Sequence, residues 1–260
     1  MARAIIAGSG ALPQLLLQAG SAHVVAFQGV ELQVRDAPVI PARFEQLGGL
    51  FEALRAQGVD ELCLAGAMTR PQFDPSALDE TTIALLPRLM AAIGQGDDGL
   101  LRSVIELLED EGFAVRAAHE LRPDLVAEEG GLAGIPTSQH QTDATRARAV
   151  LDALGPLDVG QGAVAASGQV LGIETLQGTD AMLDFVAQTR PGSGGVFVKR
   201  PKPGQDLRVD MPAIGADTVR LAAKAGLSGI EIAAGSVLLL DRGTVLAEAE
   251  AKGVAIWAAP

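Results

Sequence analysis

The densest chemistry in this 260-residue sequence lies between Val198 and Gly215, V-K-R-P-K-P-G-Q-D-L-R-V-D-M-P-A-I-G. Lys199, Arg200, Lys202 and Arg208 gather there, in a chain with four lysines and a net charge of -12. Asp206 and Asp210 stand among these cations, and Pro201, Pro203 and Pro212 hold the backbone extended or turned. A solvated basic loop explains the charges. It does not explain why acids, an amide (Gln205) and three prolines are interleaved so tightly. A clamp for a phosphorylated ligand, with a carboxylate that acts on it, explains more.

Four further segments carry candidate groups. Asp158, Gln161, Glu174, Thr179 and Asp180 fall at expected strand and helix ends in a glycine-rich setting. Glu174 and Asp180 suit Mg²⁺, which takes carboxylates and keeps its waters; Thr179-Asp180 equally suits a helix cap. Gly8-Ser9-Gly10-Ala11-Leu12-Pro13 follows an apolar run and opens a helical pattern, so its backbone N–H groups can face an anion. It resembles a dinucleotide fingerprint with Pro13 in place of the third glycine and Glu31 near the expected ribose acid. A phosphate site, a structural turn and a nicotinamide or flavin site all remain open there. Gly96-Asp97-Asp98 reads as a helix cap or a ligand contact, and His119-Glu120 as a site pair or a solvated loop pair. Cys63, inside an apolar run without a flanking histidine, reads as core. No G-x-x-x-x-G-K-S/T, G-x-S-x-G or H-E-x-x-H pattern and no Cys/His metal spacing occurs.

These groups need a scaffold, and hydrophobic patterning supplies one. Strands are expected at Ala4–Ala7, His23–Phe27, Glu61–Ala65 and from Phe113. Helices are expected from Leu12 towards Gly20 and over Phe44–Gln57, Thr82–Ile93 and Asp97–Glu111. Residues 122–142 lose periodicity and carry Pro123, Gly130, Gly131, Gly134 and Pro136, which reads as a linker between a domain over 1–121 and one over 143–260. Beyond it, helices are expected from Asp143 to Leu154, from Thr179 or Asp180 to Gln188, and over Asp217–Ala225 and Thr244–Lys252. Paired strands flank Ser167-Gly168, and further strands fall at Gly194–Lys199, Ile230–Ala233, Val237–Leu240 and Val254–Trp257. Alternating strands and helices predict an α/β protein: an N-terminal Rossmann-like parallel sheet, then a mixed α/β domain carrying Asp210.

Composition narrows the function. Hydrophobic residues make up 48% and charged residues 20%, a globular balance, and a single cysteine excludes an internal disulfide. The acidic balance argues against nucleic acid as a partner. The uncharged run from Ala4 to Ala22 is broken by Gly8, Gly10 and Pro13, so neither a spanning helix nor a signal peptide is expected. The expectation is a cytoplasmic protein, or one touching a membrane from that side.

Seven motifs, taken in order, carry a resemblance along nearly the whole chain. They are G-x-G-A-L-P at Gly8, A-G-x-x-x-R-P at Ala65 to Pro71, G-D-D-x-L-L-R at Gly96 to Arg102, H-E at His119, L-D-V-G-Q-G-A-V at Leu157, G-I-E-T-x-x-G-T-D-A-M-L at Gly172, and K-x-x-K-P-x-Q-D-x-R-x-D-x-P-x-I-G from Lys199. Together they resemble the UDP-2,3-diacylglucosamine pyrophosphatases of the LpxI type. The resemblance implies a lipid A pathway hydrolase with two α/β domains that enclose a lipid-linked UDP-sugar. The products are 2,3-diacylglucosamine 1-phosphate and UMP, the metal is Mg²⁺ or Mn²⁺, and water attacks the phosphorus nearer the sugar.

It also implies Asp210 as the catalytic residue; by residue chemistry Asp210, Glu174 and Asp180 are the expected metal ligands. Gly8, Gly10, Ala11, Thr69, Arg70, His119, Gln161, Thr179, Asp180, Lys199, Lys202 and Gln205 would bind substrate, Lys199 and Lys202 holding the diphosphate. Transient contact with the cytoplasmic face of the inner membrane is expected, with a homodimer as one assembly. Two other classes compete. A Rossmann-type NAD(P) oxidoreductase rests on the glycine turn and Glu31. A non-enzymatic sugar-nucleotide or lipid binder explains the clamp but gives Asp210 no role.

Overall fold

The computed structural model describes residues 2–68, 74–93, 96–192 and 194–260, with backbone only for 96–98. Thr69, Arg70 and the side chains of Asp97 and Asp98 therefore lie outside the described residues. The chain forms two compact α/β units, Met1–Pro123 with Asp206–Asp210, and Asp124–Gln205 with Met211–Pro260.

The first unit runs β1 (Ala2–Ala7), α1 (Leu12–Leu17), β2 (His23–Phe27), β3 (Val39–Ala42), α2 (Leu47–Ala56), β4 (Val59–Ala65), α3 (Glu80–Ile93), α4 (Gly96–Asp110), β5 (Ala114–Val115) and α5 (Ala118–Leu121). Among the described residues its sheet has the order β3-β2-β1-β4-β5, with parallel pairing throughout. Ile5, Val24, Val25, Leu62 and Cys63 are buried, the continuous apolar pattern of strands covered on both faces. Phe51, Leu54, Ile105 and Leu108 pack from the helices onto one face. Strand β3 was not expected from sequence, since V-I-P-A holds a proline; it sits at the sheet edge, where Pro41 is tolerated.

The second unit runs β6 (Gly130–Ala133), α6 (Ser138–Leu154), β7 (Gly162–Ala166), β8 (Gln169–Ile173), α7 (Gly178–Thr189), β9 (Val196–Lys199), β10 (Ala213–Ile214), α8 (Ala216–Lys224), β11 (Gly229–Ala233), β12 (Leu238–Leu239), α9 (Arg242–Lys252) and β13 (Ala255–Ala259). Its main sheet has the order β6-β13-β11-β9-β7-β8 and is mixed. Strand β11 is parallel to β9 and β13, and the remaining pairs are antiparallel. Alternate residues face opposite ways along each strand. Val196 and Val198 pack with Ala144, Ala147 and Leu151 of α6, while Phe197 joins Leu183, Val219 and Val245 of α7, α8 and α9. On the α6 side, Glu231 is buried but fully engaged, by the Arg148 guanidinium at 2.6 Å to each oxygen and the Trp257 indole N–H at 2.8 Å.

Two expectations are corrected. The stretch 122–142 is not a plain linker. It contains β6, whose G-G-L-A sequence gives no hydrophobic alternation, and the start of α6. That helix begins at Ser138, five residues before the apolar periodicity. The Thr137 hydroxyl accepts the His140 N–H at 3.2 Å, and His140 Nδ1 accepts the Thr137 N–H at 3.2 Å. Asp210 groups with the first unit, because Val209 packs against that unit's core and Arg208 pairs with Glu109 of α4 at 2.7 Å.

Candidate functional site

In the second unit, three motifs meet at one edge of the sheet. Strand β7 starts where β8 and β9 end: Gly162 is registered opposite Lys199, and Ala163 opposite Ile173. Lys199 shares its face with Phe197, two residues earlier, and so points towards α7. There its ammonium donates to Glu174 Oε1 at 2.9 Å, Glu174 Oε2 at 2.7 Å and Thr179 Oγ1 at 2.9 Å. The Thr179 hydroxyl donates in turn to Glu174 Oε2 at 3.1 Å. Lys199 is 4% exposed and Glu174 8% exposed, so the pair is buried. The three ammonium protons are matched by three acceptors.

Glu174 also packs, through backbone and side chain, against a turn. Gly160, at φ +60°, lies so close to Glu174 that a Cβ there would fall 2.0 Å from the Glu174 carbonyl oxygen. A Cβ on Gly162 would fall 2.4 Å from Glu174 Oε2. Only glycine fits at both positions, which explains the G-Q-G spacing around Gln161. Glu174 N–H donates to the Gly162 carbonyl at 2.8 Å, and Arg200 N–H to the Gln161 carbonyl at 2.9 Å.

These contacts bear on several sequence expectations. Lys199, expected to hold the diphosphate, has its three protons engaged by Glu174 and Thr179. Glu174, expected as a metal ligand, has both oxygens facing that ammonium. Thr179 does not cap α7, which begins a residue earlier with Gln177 at the cap position and no side-chain cap; its hydroxyl belongs to the ion pair. Asp180 stays exposed in the first turn of α7. Lys202 forms an ion pair with Asp158, which adopts φ 58°. Gln205 Oε1 accepts the Lys202 N–H at 2.9 Å, closing a tight turn over Lys202–Gln205. The Asp158–Lys202 pair could not be read from spacing 44 residues apart.

In the first unit, the strand order reverses between β1 and β4, the place where doubly wound sheets open a crevice. Here backbone bonds join the two turns that follow these strands. Gly8 N–H donates to the Ala65 carbonyl at 2.7 Å, Ser9 N–H to Ala67 at 2.8 Å, and Ala67 N–H back to Ser9 at 3.0 Å. A Cβ on Gly8 would lie 2.4 Å from the Ala67 carbonyl oxygen, and one on Gly66 2.6 Å from that of Ser9. The expectation that Gly8 offers its N–H to a phosphate is thereby corrected: that donor is spent on β4. The turn's first glycine serves close packing, which also removes the support for a dinucleotide fingerprint. Gly10, at φ +96°, and Ala11 lie exposed beyond the bridge. Gly66 and Ala67 were missed by reasoning on residue chemistry; the A-G pair after a strand was the available signal.

The His119-Glu120 pair separates. Glu120 Oε2 accepts the Ala117 N–H at 2.8 Å and so caps α5, while His119 Nδ1 is buried without a hydrogen-bond partner. Asp206 to Asp210 form a turn in which the Val209 and Asp210 N–H groups donate to the Asp206 carbonyl at 3.3 and 3.2 Å. The Asp206 carboxylate receives the Arg208 guanidinium at 2.7–3.2 Å, and that bonding holds its pKa below the usual carboxylate range. Arg208 is raised correspondingly, chiefly by Asp206. The basic run is thus divided by role. Arg208 braces the turn that carries Asp210, and Lys202 keeps to the second unit. Among the described residues, no group of three or more His, Cys, Asp or Glu side chains is placed to hold a metal alone.

The LpxI N-terminal domain model matches residues 2–125, and the LpxI C-terminal domain model matches residues 128–257. The UDP-2,3-diacylglucosamine pyrophosphatase LpxI of Caulobacter vibrioides is 39% identical over 264 aligned positions, covering 96% of this chain and 94% of that protein. With both domain models matched in order and that relative aligned almost end to end, the chain belongs to the LpxI family.

Proposed function

We propose that this chain hydrolyses the diphosphate of UDP-2,3-diacylglucosamine, releasing UMP and 2,3-diacylglucosamine 1-phosphate. One observation carries the reading: a pyrophosphatase named for that substrate aligns with 96% of the chain at 39% identity. The local chemistry agrees with it. A diphosphate ester needs its charge neutralised, a water positioned and a nucleotide leaving group stabilised. Lys202 supplies a cation whose partner, Asp158, is half exposed and can give way to a phosphate. Asp210 sits on a turn braced by Asp206 and Arg208 and supplies the carboxylate that orients the water. Gly10, Ala11, His119, Gln161 and Gln205 are the remaining substrate contacts of this reading.

A divalent metal, Mg²⁺ or Mn²⁺, is part of the proposal. Glu174 does not fit as a ligand, because Lys199 already neutralises it, and Asp184, one turn on from Asp180 in α7, is paired with Lys224 at 2.7 Å. Asp210 fits, since Mg²⁺ is commonly held by one or two carboxylates together with substrate phosphates and water. When bound, the metal supplies charge neutralisation at the phosphoryl oxygens.

The lipid half of the substrate has support in the second unit. A groove of about 270 Å³ is lined by Gly172, Ile173, Ala181, Met182 and Phe185 among others, and Leu176 beside it is 93% exposed. Among the described residues, no helix is long and apolar enough to cross a membrane. We propose transient contact with the cytoplasmic face of the inner membrane, with the substrate's acyl chains providing the attachment.

Incubating the chain with UDP-2,3-diacylglucosamine and Mg²⁺ tests the reading. UMP should appear together with the acylated sugar phosphate. No UMP above a protein-free control, with Mg²⁺ or with Mn²⁺, overturns it.

A further inference from the structure

We propose that Lys199, Glu174 and Thr179 form a positioning network for the Gly160-Gln161-Gly162 turn and the first turn of α7, and that none of the three touches the diphosphate or a metal. The kinetic consequences rest on the hydrolase reading above; the structural consequences do not.

Saturation is the first argument. An ammonium has three protons, and here they meet Glu174 Oε1, Glu174 Oε2 and Thr179 Oγ1, all within 2.9 Å. A phosphate could recruit Lys199 only by leaving Glu174 as an unpaired carboxylate in a site where it is 8% exposed. Exposing one partner of a buried pair in that way is strongly unfavourable. The same geometry keeps a cation away from Glu174, since an ammonium already occupies the space before both oxygens.

Connectivity is the second. Lys199 ends β9, Glu174 follows β8, Thr179 lies in the first turn of α7, and Gly162 begins β7. The ion pair therefore ties four elements at one edge of the sheet. Through Glu174 it reaches the backbone on both sides of Gln161. The Gly162 carbonyl accepts the Glu174 N–H at 2.8 Å, and both glycines lie too close to Glu174 to admit a side chain. Through Lys199 it reaches Arg200, whose N–H donates to the Gln161 carbonyl at 2.9 Å. Gln161 thus lies between a backbone bond from Arg200, the chain neighbour of Lys199, and one from Glu174 to Gly162. Losing either partner should displace this turn, and a displacement of about 1 Å in a supporting residue can cost about 100-fold in rate.

A double-mutant cycle of Lys199→Met, Glu174→Gln and the pair together separates positioning from contact. The readouts are UMP release, thermal melting, and hydrogen exchange at the Glu174 and Arg200 amides. Each single variant leaves a buried group without its partner. Each should lose about 100-fold in kcat with KM changed less, and both amides should exchange faster. The double variant removes both charges together. It should recover to within roughly 10-fold of the parent in kcat, and recover amide protection with it. Thr179→Ser, which keeps the hydroxyl, should behave as the parent and Thr179→Val should not.

If Lys199 clamps the diphosphate, the double variant stays as inactive as Lys199→Met although melting and protection return; that result overturns the proposal. So does Lys199→Met with parental protection at both amides. If the single variants do not fold, recovery of folding, protection and activity in the double variant supports the proposal, and its absence overturns it. A parent protein that releases no UMP overturns the hydrolase reading alone, and amide exchange still decides the positioning role.

Discussion

A methyl group on Gly162 would stand 2.4 Å from Glu174 Oε2, nearer than any real Cβ contact. Gly162→Ala must therefore push the carboxylate off Lys199 or bend the start of β7. We expect a loss of about 1–3 kcal/mol, the usual cost of overpacking a filled site. Gly131→Ala in β6, where nothing lies within 4 Å of an added methyl, should change stability by less than about 0.5 kcal/mol. Equal melting curves for the two variants would contradict the packing argument.

Asp210→Ala should lower kcat roughly 1000-fold or more while sparing substrate retention, of the order seen when one preorganised electrostatic group is removed. Two negative groups repel, so Asp210 acts on the diphosphate through a water or a metal and contributes little to ground-state binding. UMP release and retained lipid-nucleotide are measured with a thermal melt. Near-parental kcat in the folded variant refutes the assignment.

Lys202→Ala should reduce turnover at subsaturating substrate by about 10-fold or more, since a charge-assisted contact contributes about 1.5–3 kcal/mol. Stability should change little, because the carboxylate left behind, Asp158, is 46% exposed and is solvated without its partner. An unchanged kcat/KM would leave Lys202 as a partner of Asp158 and nothing more.

Chelation gives a separate check. Excess EDTA should abolish UMP release, and Mg²⁺ or Mn²⁺ should restore it, if a metal held by Asp210 would supply charge neutralisation for the phosphates. Full activity in EDTA removes the metal from the mechanism.

Acid should weaken the first unit through Glu61. Its carboxylate is held below the usual range by hydrogen bonds from Arg3, at 3.0 Å, and then Arg116, at 3.0 Å. A depressed folded pKa stabilises the protein above the unfolded value of about 4.3, and that stabilisation is lost as pH falls through the folded pKa. Glu61→Gln should therefore melt earlier than the parent at pH 7, and the difference should close once the pH has fallen through the lowered folded pKa. A gap that persists at that pH would mean the loss is steric rather than electrostatic.

The sequence by itself determined most of the scaffold. Apolar runs such as Ala4–Ala7 and Glu61–Ala65 and the helical spacing over Phe44–Gln57 report burial directly, and burial is a local property of each residue's transfer from water. Residue type fixes charge, so the sequence also marked Lys199, Lys202 and Asp210 as candidates for a phosphate site. Where an element lacked a hydrophobic period, the sequence was silent: β6 is G-G-L-A, β3 holds a proline, and α6 starts on a polar turn fixed by Thr137 and His140. Only the tertiary structure decided which charges remain available. Glu174 and Lys199 lie 25 residues apart and become partners because antiparallel pairing of β7 with β8 and β9 brings both strand ends to one edge. Gly8 and Ala65 are brought together in the same way by the parallel pairing of β1 and β4, which turns a possible anion donor into a backbone clasp. An ion pair or a spent N–H depends on distance in space, and pairing register sets that distance.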